Sequence, residues 1–168
     1  MANISATEAD VLRCGYEAEH FDKSHIIAWA DEQIMACDKP SDALIDLSLC
    51  RNSGSQTVAS NLRSLGSNDA TLCVKLQFAF LGLAFNADRI TLEQAVRTLY
   101  RIAHEIANER GVDDDQRNMI YHLDDGYYLA FSGTHGTLAE IEREFGDFIR
   151  PYILQLNEQF PQLVASGE

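Results

Sequence analysis

The segment from Leu72 to Phe85 is the feature that most constrains how this chain can fold. Its 14 residues are apolar on almost every side of a helix, interrupted only by Lys75 and Gln77. That length is too short to span a bilayer, which takes about 20 apolar residues. A helix without a broad polar face must be covered by other elements. We therefore expect residues 72–85 to form a buried central helix.

Helical spacing of apolar residues extends over most of the chain. The clearest stripe runs from Ile90 to Asn108, and it opens with a capping box from Thr91 to Gln94. A second capping box begins at Thr137, and Pro151 within the stripe that follows is expected to kink its helix. No linker, repeat or low-complexity segment divides the chain. The sequence predicts a single all-α domain over residues 1–168, a bundle of about seven helices around the 72–85 helix.

Two segments depart from this helical pattern. Tyr127 to Phe131 has the aromatic composition typical of a strand, but it is too short to seed a sheet. Gly126 is expected to end or bend the helix that precedes it. The C-terminal tail, residues 161–168, is expected to be frayed.

The charge of the chain restricts its partners. The 168 residues include 26 acidic and 13 basic side chains, a formal net charge of −13. Such a chain repels nucleic acid phosphates and anionic membrane surfaces, which excludes both as expected partners. With 46% hydrophobic residues it has enough apolar material for a folded core. A basic protein is the partner that this charge favours.

The cysteines and the N-terminus predict the compartment. Cys14, Cys37, Cys50 and Cys73 contain no C-x-x-C pair, and each lies in an apolar helical context. We interpret them as reduced, largely buried thiols, with two disulfides or a zinc site as the alternatives. Residues 1–5 have no basic stretch followed by an apolar run. These observations predict a cytoplasmic protein.

No catalytic motif in the sequence is complete. His104-Glu105 begins like the helical motif of zinc proteases, but Asn108 stands where the second histidine ligand is required. No serine lies in a nucleophile elbow, and no glycine-rich loop has the ending that binds phosphates. We therefore predict no catalytic residue, no cofactor and no metal ligand. The oligomeric state is left open.

Much of the negative charge is concentrated in residues 109–147. This segment holds ten acidic side chains against three basic ones, a net charge of −7, and several tyrosines lie between them. Carboxylates steer a basic partner, and aromatic side chains hold the complex once it forms. The alternative is a solvated face over core aromatics. The predicted partner-binding residues are Asp113, Asp114, Asp115, Tyr121, Asp124, Asp125, Tyr127, Tyr128, Glu140 and Glu144.

One stretch of about 25 residues carries a family resemblance. The run from Ile27 to Ile34 (IAWADEQI), then Pro40, then Leu44 to Leu49 (LIDLSL), resembles a segment of small uncharacterised bacterial proteins. Some of those resemble immunity proteins that are paired with secreted polymorphic toxins. Trp29 and Leu44 within it are explained as core residues. The resemblance implies a cytoplasmic inhibitor that binds a toxin domain stoichiometrically.

These observations favour a non-enzymatic reading of the chain. We expect an acidic helical binding protein, an immunity protein that neutralises a cognate toxin by occlusion. One alternative is a metal-dependent helical-bundle hydrolase that uses clustered carboxylates of the last three helices. The other is a structural or regulatory homodimeric helical domain.

Overall fold

The computed structural model describes residues 6–106 and 111–165, and every regular element in those ranges is helical. The all-α prediction is confirmed. A 3₁₀ turn (Cys50–Asn52) and a π-helical segment (Ile102–Ile106) accompany nine α-helices in the described ranges. The α-helices are α1 Ala6–Glu17, α2 Lys23–Ala36, α3 Asp42–Ser48, α4 Ser55–Leu65, α5 Ala70–Asn86, α6 Leu92–Arg101, α7 Asp114–Phe131, α8 Leu138–Gln159 and α9 Pro161–Ala165.

The described chain divides into two compact units. Unit 1 comprises residues 6–69 and 160–165, and unit 2 comprises the described residues of 70–159. The assignment of both to one domain stays a prediction. Across these described residues, no helix combines the length and the hydrophobicity that crossing a membrane requires.

In unit 1, α1 packs on α4, and α3 packs on both α2 and α4. The helix starts are set by short polar caps: Asp22 accepts from the backbone N–H of His25, and Ser41 accepts from that of Leu44. The contacts of α2 with α3 and the turn after it bring Asp31 to the hydroxyl of Ser48 and the ammonium of Lys23 to the Ser53 carbonyl. Ser48, the last residue of α3, meets the second half of α2, and Ser53, further along the chain, meets the start of α2, so the chain through α3 runs opposite to α2 and the two helices are antiparallel.

A buried carboxylate connects α1 to the turn after α4. The side chain of Asp10 is fully buried and accepts two hydrogen bonds from Ser67, at 2.8 Å from the backbone N–H and 2.5 Å from the hydroxyl. Its other oxygen lies 3.6 Å from the guanidinium of Arg13, which is itself almost buried. Gly66 is required beside it, since a Cβ there would overlap the Asp10 carboxylate. We call these four residues the Asp10 clasp.

Unit 2 is a four-helix bundle in which each helix is antiparallel to its two neighbours. Gln116 of α7 bonds to Tyr152 of α8, and Gly126, ten residues further along α7, meets Ile141, earlier on α8. The same inverse order relates α6 to α7 and α5 to α8, while α5 and α6 also pack together. The result is an up-down-up-down ring. Its core consists of Val74, Phe78, Leu81, Ala95, Val96, Leu99, Ile102, Ala103, Val112, Ile120, Leu123, Tyr127, Ile141, Phe145 and Ile149.

The predicted central helix exists and is slightly longer than expected. It is α5, Ala70–Asn86, and eight of its residues are buried. Gly82 allows α8 to come close, because a Cβ at this position would stand 2.6 Å from the Cδ1 of Ile149. Both predicted capping boxes are present, at Thr91 with Gln94 and at Thr137 with Glu140.

Several local predictions were wrong. The helix does not end at Gly126, because α7 continues to Phe131 and carries the strand-like Tyr127–Phe131 run in helical form. Gly126 instead lets α8 approach, since a Cβ on it would stand 2.7 Å from the Cδ1 of Ile141. The tail is not frayed over its first part. Pro161 opens α9, where its fixed backbone angle and missing N–H suit the first helical position.

The predicted 90–108 helix is shorter than its sequence pattern suggests. It is regular over Leu92–Arg101 and continues as the π segment Ile102–Ile106, while residues 107–110 lie outside the described chain. Beyond that gap, Gly111 has a φ of 139°, which favours glycine.

Candidate functional site

The ten predicted binding residues all lie on α7, on α8 or at their N-terminal caps, but they do not form one surface. Asp114 and Tyr128 are 14 positions apart on α7, which is about 21 Å at 1.5 Å per residue. The predicted face therefore separates into an acidic end, a middle region against α6, and an aromatic end at the α7–α8 turn.

The acidic end is explained by helix formation. Asp113 caps α7 and forms a reciprocal capping box with Gln116, with hydrogen bonds of 2.8 and 2.9 Å. Asp114 and Asp115 lie in the first turn, where the helix dipole favours negative charge. All three aspartates are exposed. These carboxylates stabilise the start of α7, and that role is sufficient to explain their positions.

The middle region packs against α6. The ring of Tyr121 lies 5.6 Å from that of Tyr100. Burial raises the pKa of Asp124, the neighbouring charge of Asp125 raises it further, and Arg97 of α6 opposes the shift. Arg97 is also paired with Glu93 of the same helix at 2.7 Å, so the two side chains together add no net charge beside Asp124.

Three more of the predicted residues have intramolecular roles. Tyr127 belongs to the bundle core, with 7% of its surface exposed, so its ring is not presented to a partner. Burial is the main cause that raises its pKa. Glu140 completes the cap of α8 through Thr137. Glu144 lies 3.0 Å from the ring nitrogen Nε2 of His122 on α7.

The aromatic end is where large side chains reach solvent together. Tyr128 is 50% exposed, Leu129 42%, Phe131 69% and Leu138 41%. The first three belong to the last turn of α7, and the fourth begins α8. A six-residue turn joins the two helices, held by the N–H groups of Thr134 and His135 donating to the Leu129 carbonyl. We call these four apolar residues the bundle-end surface.

Carboxylates flank the bundle-end surface. Asp124 and Asp125 precede Tyr128 and Leu129 by one helical turn, and Glu142 follows Leu138 by one turn. Of the ten residues predicted from sequence, Tyr128 belongs to the bundle-end surface, and Asp124 and Asp125 flank it. Leu129, Phe131 and Leu138 are absent from the predicted residues. The first two lie in the run with strand-like composition, and Leu138 belongs to a helical apolar stripe, which is normally assigned to the core.

Unit 1 contains an open cleft of about 1400 Å³. It lies between the end of α1, the turn after it, the start of α2, and α4. The rings of His20 and His25 each have their centroid 4.9 Å from that of Phe21, with His20 edge-on and His25 stacked. Glu17 within the cleft is paired with Arg63 at 3.7 Å. The lining is polar and of mixed charge, and the sequence did not indicate it because its residues come from positions about 40 apart.

Among the side chains that the structure describes, no three His, Cys, Asp or Glu residues are arranged to hold a metal ion. None of the four cysteines, all of which the structure describes, is in a disulfide; two are buried and two half-buried. Comparisons of this chain with protein-family models, with curated proteins and with solved structures found no match.

Proposed function

We propose that this chain is a helical binding protein that uses its bundle-end surface to hold a basic protein partner. The observation that carries the proposal is the joint exposure of Tyr128, Leu129, Phe131 and Leu138 at one end of the bundle. Single exposed apolar residues are common on soluble proteins, whereas several of them around one turn of the chain are a candidate interaction site. Aromatic side chains at the centre of an interface typically contribute most of the binding energy.

The charge around this surface supports a basic partner. Residues 111–147 contain nine acidic side chains and only two basic ones, Arg117 and Arg143. Such a field accelerates encounter with a positive surface and disfavours acidic competitors. The carboxylates act at long range, while contact with the partner rests on the apolar side chains.

We further propose that the partner is a toxin domain and that the chain neutralises it by occlusion in the cytoplasm. The resemblance of residues 27–49 to proteins of the immunity type supports this assignment. Many toxin nuclease domains are basic, which agrees with the charge. The cytoplasmic location is supported by the four cysteines, none of which is in a disulfide, since a reducing compartment keeps disulfides from forming. In this proposal the chain performs no chemistry of its own.

The test uses the proteins encoded beside this chain in its genome. Each is purified and titrated with the wild-type chain, and any basic toxin-like domain is assayed for inhibition. Phe131→Ser should weaken binding by about 10-fold or more, because burying such a side chain contributes about 1.5–3 kcal/mol. Leu154→Ser is the matched control, since Leu154 is 54% exposed on α8 outside the bundle-end surface.

Two results would reject the proposal. One is that no basic neighbour binds the wild-type chain. The other is that Phe131→Ser and Leu154→Ser bind with the same affinity as the wild type, which would place the contact elsewhere. A chain that self-associates through Phe131 would instead support the homodimeric alternative.

A further inference from the structure

A second exposed apolar group lies in unit 1, on the α2–α3 hairpin. Met35 is 89% exposed, Leu49 73% and Ile45 38%. The opposite side of α3 is fully buried through Leu44 and Leu47. The helix therefore has one apolar face in the core and a second, smaller apolar face in solvent. Helix formation and core packing do not require that second face.

The antiparallel pairing of α2 and α3 brings these three side chains to one side of the hairpin. The hydrogen bond between Asp31 and Ser48 fixes the register. Met35 lies one turn after Asp31 on α2. Ile45 lies on α3, and Leu49 follows it by one turn, directly after Ser48 at the end of that helix. The outward stripes of the two helices thus run side by side. We call Met35, Ile45 and Leu49 the hairpin surface.

The hairpin surface has an acidic surround. Residues 31–49 contain five acidic side chains and one basic one, Lys39, a net charge of −4. All of the acidic groups are exposed. On α3, the carboxylates of Asp42 and Asp46 alternate with Ile45 and Leu49. A partner that covers the apolar side chains must therefore bring positive charge to their edges.

We propose that the hairpin surface is the docking site for a basic amphipathic helix of a partner protein. Two antiparallel helices present a groove between their outward stripes, and a third helix fills it with side chains at positions i, i+3, i+4 and i+7. Met35 suits such a contact because its flexible thioether adapts to the shape of the incoming side chains. Lysine or arginine on the flanks of the incoming helix pairs with Asp42 and Asp46.

A second copy of this chain is the less suitable occupant. A symmetric dimer would set the same patch against itself, so the acidic surround of one copy would meet that of the other. Each chain also carries a formal net charge of −13, which opposes self-association at low salt. A basic helix is instead attracted both by the acidic surround of the hairpin surface and by the negative net charge of the chain.

The probe is a synthetic helical peptide of about 18 residues, with leucines on one face and lysines on the other. Two control peptides accompany it. One replaces lysine by glutamate, and the other scrambles the order so that composition is kept and the apolar face is lost. Binding to the full chain is measured by calorimetry or fluorescence anisotropy at about 0.05 M and about 0.5 M salt.

The expected result is saturable binding of the leucine–lysine peptide that weakens as salt rises, with no binding of the glutamate peptide. Leu49→Ser should weaken it by about 10-fold or more. Leu49 is mostly exposed at the end of α3, so the variant should keep the wild-type far-ultraviolet circular dichroism. Leu154→Ser is the matched control: it makes the same change at a leucine that is 54% exposed on α8, outside both surfaces, and it should bind the peptide with wild-type affinity.

Three outcomes would overturn the proposal. The scrambled peptide could bind as tightly, which would mean that charge alone holds the peptide. Leu49→Ser could leave the affinity unchanged. Sedimentation could show that the chain alone dimerises in a way that Leu49→Ser abolishes, which would give the surface to a second copy. None of these results bears on the Phe131 test, so the two proposals fail separately.

Discussion

Removing the charge of Asp10 should destabilise unit 1 selectively. Asp10→Asn keeps the size of the side chain but replaces a carboxylate by an amide. The carboxylate accepts two hydrogen bonds from Ser67 and faces the guanidinium of Arg13 at 3.6 Å. In the variant, the amide oxygen can still accept a hydrogen bond. The amide N–H groups, however, face donors of Ser67 or Arg13, and two donors cannot form a hydrogen bond.

The expected loss follows from these contacts. A hydrogen bond to a charged group contributes about 1.5–3 kcal/mol, and leaving a nearly buried guanidinium without its carboxylate adds to that cost. Glu17 also contacts Arg13, at 3.5 Å, which limits the addition. We expect the free energy of unfolding to fall by about 2–4 kcal/mol. Ser67→Ala should cost about 1 kcal/mol, because the backbone N–H still donates to Asp10.

Tryptophan fluorescence is the appropriate assay. The chain has a single tryptophan, Trp29, which lies buried in unit 1. Its emission during urea unfolding therefore reports that unit, while circular dichroism reports all helices. At an m-value of about 2 kcal/mol/M, Asp10→Asn should lower the fluorescence midpoint by about 1–2 M urea. A shift under about 0.3 M would refute the role assigned to the Asp10 clasp.

Three further variants test other contacts. Gly66→Ala should destabilise unit 1 by about 1–3 kcal/mol, because its Cβ overlaps the carboxylate of Asp10. In an Asp10→Ala background most of that cost should disappear, and equal costs in both backgrounds would contradict the overlap. Tyr152→Phe should cost about 1 kcal/mol in a chemical denaturation experiment, since the Gln116 amide loses its hydrogen-bond partner at 2.7 Å, and an unchanged midpoint would show that water replaces the hydroxyl. Asp124→Asn should stabilise the chain at about pH 7 and have no effect at about pH 3, because burial raises the folded-state pKa of Asp124, so that its ionisation costs stability as pH rises above the ordinary aspartate value; destabilisation at about pH 7 would show that Arg97 outweighs burial.

Local signals in the sequence predicted the helices well. The capping boxes at Thr91 and Thr137 depend only on residues within one turn, so a pattern four residues long identifies them. The all-round apolar character of α5 likewise predicted its burial. In each case the residues that determine the local structure are close together in the sequence.

Non-local packing explains what the sequence pattern got wrong. Gly126 looks like a helix end, but its role is set by Ile141 on another helix. Tyr127 and Tyr128 are adjacent and chemically alike, yet one is in the core and the other is half-exposed, because the helical rotation between them is about 100° and only packing decides which one points inward. Met35 and Leu49 are apolar and lie on helical segments, yet both are mostly exposed, because the packing of α2 and α3 leaves them uncovered.

The ring of antiparallel helices in unit 2 has a consequence for how the chain is assembled. Phe78 lies beside Tyr152 and Gly82 beside Ile149, so the same register carried to the ends of α5 and α8 brings residue 70 next to residue 159. An even number of alternating helices always returns the chain to its starting end. Unit 2 is thus an insertion whose entry and exit coincide, placed between α4 and α9 of unit 1. A few glycines joining residues 69 and 160 would excise it, and each unit could then be produced and studied alone.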